Sequence, residues 1–175
     1  LAKEGYVKVI LTTNFDRLIE DALAAENVTY QVVLHESDLE KITPIIHSNV
    51  PTIVKINGDY IDCRFRNTAS ELSSYPDELK VFLKGIFEDF GLITCGWSAT
   101  WDKGLVEIIR QAKDTRYNSF LSYVSDKNDD LENLAKIRKG ETLKIDGADN
   151  LFKEIYEQVS ALERNAVSKN LNKDV

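Results

Sequence analysis

Two periods of apolar residues alternate along the chain, and they predict strands and helices in turn. Val7 to Leu11 is a β-branched, apolar run of the length a buried strand needs. It breaks at once into Thr12-Thr13-Asn14, short polar side chains that favour turns and helix starts. Leu18, Ile19, Ala22 and Leu23 then share one helical face, which predicts a helix from Asp16 to about Ala25. Tyr30 to His35 reads as a second strand. The polar stretch Glu36 to Ile42 suggests a short helix capped by Ser37. Thr52 to Ile56 is a third strand, stopped by Asn57-Gly58-Asp59, where Gly58 permits a positive φ or a close backbone approach.

Downstream, Thr68 to Glu71 has the form of a capping box, and Pro76 suits the first helical position. Leu79, Phe82, Leu83, Ile86 and Phe87 recur at three-and-four spacing, and Gly91 ends that helix. Leu92 to Gly96 is another strand, breaking into Gly96-Trp97-Ser98. A helix carrying Leu105, Ile108 and Ile109 follows. Strand-like Ser119 to Val124, a helix from Leu131 to Arg138 and strand-like Thr142 to Ile145 come next. An amphipathic helix with Leu151, Phe152, Ile155, Tyr156, Val159 and Leu162 on one side closes the series. Strands alternating with helices predict an α/β, Rossmann-like fold: a mostly parallel sheet of about five or six strands with helices on both faces.

Composition narrows the function classes. At 175 residues and 43% hydrophobic, the chain fits one domain, placed at residues 1–165, with a polar tail over 166–175. The absence of any Met, even at residue 1, suggests a piece of a longer protein with further domains. A formal charge of −7 argues against nucleic acid binding through a general basic surface. No apolar run approaches the roughly 20 residues of a membrane span. Cys63 and Cys95 form no Cys-x-x-Cys pair, and His35 and His47 have no ligand spacing with them, so no metal is expected and a reduced, cytoplasmic setting is. Cys95 lies in a strand and reads as a core thiol. Trp101 reads as a packing residue. The acidic run Asp126 to Asp130 lacks the spacing of a calcium loop.

Three strand ends look alike: Thr13-Asn14-Phe15-Asp16, Asn57-Gly58-Asp59 and Gly96-Trp97-Ser98. In one parallel sheet they would share the edge where ligands bind, and a helix N-terminus there suits phosphate. Together and in this order they resemble the sirtuins, the silent information regulator family. Leu11 to Asp16 is similar to the Thr-Thr-Asn-[Tyr/Phe]-Asp form of bacterial sirtuin-like NAD-hydrolysing domains. Val54 to Asp59 resembles the Lys-[Leu/Val]-His-Gly-Asp segment that carries the family's histidine. Leu92 to Ser98 stands in place of the Gly-[Thr/Tyr]-Ser strand end.

The resemblance, over about residues 6 to 165, implies an NAD site. It places Asn14 beside the nicotinamide ribose, positioning a water or the ribose hydroxyls, and Asp16 against the carboxamide. Gly96 and Ser98 would hold the adenosine half, and Ser125 falls near the family's adenine-ribose asparagine. Thr12, Thr13, Gly58 and Trp97 complete the strand-end set, and Asn57 takes the catalytic histidine's place. The implied reaction is hydrolysis of NAD to nicotinamide and ADP-ribose in a bacterial defence or signalling protein, for which a homo-oligomer is one arrangement.

Three departures shape the expectation. Asn57 does not titrate near neutral pH as histidine does. The family's N-terminal glycine-rich strand and turn, which would lie between the Thr-Thr-Asn and Gly-Trp-Ser strands, are missing. Paired Cys-x-x-Cys motifs are absent, which argues against acyl-lysine removal. Low activity is therefore expected of this chain, and the alternative is a module that senses NAD or ADP-ribose, or binds protein, without turnover.

Overall fold

The computed structural model describes residues 1–62, 68, 75–113, 115–125 and 129–171, with side chains to 166. Ala69, Ser70 and Glu71 of the expected capping box lie outside the described residues, as do Cys63 and positions 126–128 of the acidic run. The chain divides into two compact units, residues 1–86 with 101–112 and residues 87–100 with 113–175.

The first unit opens with β1 (Val9–Thr12), α1 (Leu18–Ala25), β2 (Gln31–Val33) and β3 (Thr52–Lys55). These strands form a parallel sheet in the order β1-β3-β2. Val9 pairs with Thr52 and Thr12 with Lys55, while Gln31 pairs with Thr52 and Val33 with Val54. A central parallel strand is flanked on both edges and covered on both faces, so its burial does not alternate, and here even the polar end residues Thr52 and Lys55 are buried. All of β3 is buried accordingly, and Ile53 and Val54 each contribute about 1.5–3 kcal/mol by leaving water. A single 3-10 turn, Glu36–Asp38, stands where the Ser37-capped helix was expected. Asp38 closes it by accepting the Leu34 and His35 N–H groups.

α2 (Asp77–Asp89) begins one residue after Pro76 and buries Leu79, Leu83, Ile86 and Phe87, the spacing read from the sequence. The division between the two units falls within this helix, after Ile86. α3 (Lys103–Gln111), in the first unit, buries Leu105, Val106, Ile108 and Ile109.

In the second unit, β4 (Leu92–Thr94), β5 (Ser119–Tyr123) and β6 (Glu141–Lys144) form another parallel sheet, with β5 central. Leu92 pairs with Ser119, and Phe120 with Glu141. Between β5 and β6 runs α4 (Asp129–Ile137), which buries Leu131, Leu134 and Ala135. Gly140 enters β6 so close to Ser119 that a Cβ would overlap its carbonyl group. The last helix, α5 (Ala148–Leu171), runs well past Arg164, and Phe152, Tyr156 and Leu162 on its apolar side are exposed.

The fold class agrees with expectation, but the strands form two sheets, and each sheet has three strands, fewer than the five or six predicted for one sheet. β1 and β4 are edge strands of their sheets, and among the described residues no strand pairs with either outer edge. Nothing described here supplies the strand expected between them. No described helix is long and apolar enough to cross a membrane.

Candidate functional site

Thr12 ends β1 as a buried polar residue, and its Oγ1 accepts the Asn14 N–H at 3.1 Å. This local bond bends the chain out of the strand direction and leaves Asn14 exposed. The N-cap of α1 is Arg17, which makes no side-chain cap bond. Asp16 Oδ1 accepts the Leu18 N–H at 3.2 Å, and neither Thr13 nor Asn14 caps the helix, which starts two residues later than predicted. Asn14 forms no side-chain hydrogen bond with the described residues. Its amide is left for something else.

α1 also departs from its apolar pattern, with Ala22 exposed and Ile19 and Leu23 half-buried. Leu18 is 69% exposed, while Glu20 is buried. The cause is Lys55, the last residue of β3, whose side chain is fully buried. Its ammonium donates to Glu20 Oε1 at 3.2 Å and to Asp59 Oδ2 at 2.8 Å. It also donates to the Phe15 carbonyl at 3.5 Å and, at short range, to the Asp16 carbonyl. A buried ammonium needs paired charge and satisfied donors. Here it finds both, and in doing so it grips the turn that presents Asn14.

Asp59 completes the cluster. Gly58, at φ +103°, lets the chain double back after Asn57 so that Asp59 returns to Lys55 four residues behind. Arg17 Nε donates to the same Asp59 oxygen at 2.9 Å, and the Ile61 N–H donates to the other at 2.8 Å. Asp59 is thus a buried ion-pair residue rather than a simple turn residue. Burial opposes its charge, but hydrogen bonds from Lys55, Ile61 and Arg17 outweigh that and hold its pKa below the ordinary value. A depressed carboxylate pKa stabilises the fold above the unfolded value of about 3.9, and that contribution is lost as pH falls through the folded pKa. The melting temperature of the wild type is therefore expected to drop below about pH 4, and that of Asp59→Asn to drop less steeply. Parallel curves in a thermal scan across pH would show that Asp59 carries no such linkage.

Asn57 is also buried, at 6% exposure. Its Nδ2 donates to the Thr13 carbonyl at 3.4 Å and to Asp102 Oδ1 at 3.3 Å. Its Oδ1 is buried with no hydrogen-bond partner. The first unit therefore brings together Thr12, Thr13, Asn14, Asp16, Asn57 and Gly58, tied by the Ile56 N–H to the Thr12 carbonyl and the Tyr60 N–H to the Phe15 carbonyl.

The remaining predicted residues belong to the second unit. Gly96 is exposed at φ +70°, where glycine avoids the strain of a side chain. Trp97 is half-buried and Ser98 exposed, with Ser98 Oγ accepting the Thr100 N–H at 3.3 Å. Ser125 is exposed.

Several expectations need correction. Trp101 is 76% exposed and is no packing residue, because the chain bends just before α3 and carries the indole outward. Cys95 is half-buried rather than a core thiol. Away from these, His35 Nε2 lies 2.6 Å from Asp62 Oδ2. The sequence reading gave Lys55 and Asp102 no role at the site. A lysine closing an apolar strand, with an aspartate four residues on, was the available signal for the first. For the second it was an aspartate immediately before a helical pattern.

A family model of the SIR2-like domain matches residues 8–146. The chain belongs to this family. No curated protein matches it. In this SIR2-like domain the matched span takes in every strand and ends before α5. The family is NAD-related, in agreement with the resemblance carried by the strand ends. Among the described residues of the domain, no group of three His, Cys, Asp or Glu side chains is arranged to hold a metal.

Proposed function

We propose that this SIR2-like domain binds NAD as substrate and hydrolyses it to nicotinamide and ADP-ribose. The observation that carries the reading is Asn14, an exposed amide with no side-chain hydrogen bond to the described residues, held on a turn whose carbonyls Lys55 grips. An asparagine fixed in this way at the carboxyl end of a parallel strand suits a ribose hydroxyl or a water beside it. Asn57 supports the same reading, since its buried, unpartnered Oδ1 is an acceptor in want of a donor, and the ribose supplies hydroxyl donors.

The reading predicts that the full-length protein releases nicotinamide from NAD and that Asn14→Ala lowers the rate at least ten-fold. Equal release by the two proteins would remove Asn14 from the site. Asn57, a group that does not titrate near neutral pH, favours a second reading, in which the domain senses NAD or ADP-ribose without turnover. Calorimetric binding with no nicotinamide released over hours would select that reading.

A further inference from the structure

Three separate segments meet at the Asn57 amide. Thr13 comes from the end of β1, Asn57 from the end of β3 and Asp102 from the start of α3. Both groups facing Nδ2 are acceptors, a carbonyl and a carboxylate, and this fixes which way the amide points. Its Oδ1 must therefore face away from Asp102.

Asp102 itself is placed unusually. It occupies the N-cap position of α3, where an aspartate ordinarily accepts a backbone N–H from the first turn. No side-chain cap bond forms. The carboxylate is instead turned against Asn57, with the residue only 8% exposed. The Asn57 amide thus bridges the Asp102 carboxylate and the Thr13 carbonyl, next in sequence to Asn14. Stability alone would favour the cap.

We propose that Asp102 is the proton acceptor of this site and that Asn57 is the positioning residue that holds it. The proposal rests on the hydrolase reading above and gives the base function, which Asn57 cannot perform, to its neighbour. A water oxygen bonds to the ribose C1′. The C1′–nitrogen bond breaks, and its electron pair passes to the pyridinium nitrogen, so nicotinamide leaves neutral. One water proton passes to Asp102 and then to solvent, while the other remains on the new hydroxyl of ADP-ribose. The balance is NAD plus water giving nicotinamide, ADP-ribose and a proton. No oxidant, reductant or metal is required.

Nicotinamide release by the full-length protein tests this, alongside NAD affinity measured by calorimetry. Asp102→Asn keeps the shape and removes the base, so turnover is expected to fall about 10²–10⁴-fold, with NAD affinity changed only a few-fold. Asp102→Glu keeps a carboxylate and is expected to retain more activity than Asp102→Asn. It also decides the matter if the asparagine variant does not fold. Asn57→Ala keeps the carboxylate but removes the amide that donates to it, so kcat is expected to fall, and KM to rise as well through loss of the Oδ1 acceptor. Added formate is expected to restore part of the rate of Asp102→Ala, which a purely structural role would not allow. Wild-type turnover by Asp102→Asn would overturn the assignment of Asp102 while leaving the hydrolase reading intact. No nicotinamide from the wild type would overturn the hydrolase reading, and this proposal with it.

Discussion

Lys55→Met is expected to destabilise the first unit by about 3–5 kcal/mol, the usual cost of removing one partner from a buried ion pair. The methionine fills much of the lysine's volume, so the loss is electrostatic rather than a cavity. Asp59 and Glu20 would be left buried, with Arg17 as the cation still paired to Asp59. The carbonyls of Phe15 and Asp16 would lose their donor. Urea unfolding of wild type and variant measures the difference, and a melting shift of about 6–20 °C is its thermal counterpart. Adding Asp59→Asn to Lys55→Met is expected to recover part of the loss, because it removes one stranded charge. A loss below about 1 kcal/mol would mean that the cluster is solvated, against its burial. The same substitution loosens the turn that presents Asn14, so ligand affinity is expected to fall in whatever protein remains folded.

How far the sequence spoke for itself depends on the kind of feature. The strands were legible because β3 and β5 each carry an apolar pair, Ile53-Val54 and Phe120-Leu121, in a short stretch between turns, and α2 because its buried residues keep helical spacing. The partition into two sheets was not, since strand pairing is non-local and nothing in β1 or β4 states that its outer edge goes unpaired. α1 misled for a physical reason. Its apolar periodicity points to Leu18 and Ala22, yet a buried ammonium on another strand pulls Glu20 inward, and that Coulombic preference outweighs the pattern. At the site, Asn14, Asp16 and Asn57 were picked out by motif, but the hold on the Phe15 and Asp16 carbonyls and the role of Asp59 as ion-pair partner depend on Lys55, forty residues from the turn it holds. Asp102 was hidden because a capping aspartate looks the same in sequence whether or not it caps.

The second unit has its own buried cation, and Arg138→Met is expected to cost about 3–5 kcal/mol there. Arg138 follows α4 and is 0% exposed. Nε donates to Ser119 Oγ at 3.1 Å, while the two terminal nitrogens donate to the Phe87 carbonyl at 2.5 Å and the Phe90 carbonyl at 3.4 Å. Those carbonyls lie at the end of α2, where helix geometry leaves acceptors without an internal partner. The guanidinium also stands over the Phe87 ring at 5.8 Å. Burial lowers its pKa, with Glu88 acting against that, but an arginine remains protonated in any ordinary buffer. Arg138 is therefore a strut that caps α2, anchors the first residue of β5 and fills the space after α4. Lysine is no substitute, because one ammonium does not reproduce the planar fork that reaches three acceptors at once. Arg138→Lys is accordingly expected to lose more than half of what Arg138→Met loses, read as unfolding midpoints in urea. Hydrogen exchange gives the local test: amides of β5 and of the last turn of α2 should lose protection together in Arg138→Met, while those of β3 in the other unit keep theirs. Equal loss in β3 would show that the strut serves the whole chain, and no loss in β5 would show that Arg138 anchors nothing.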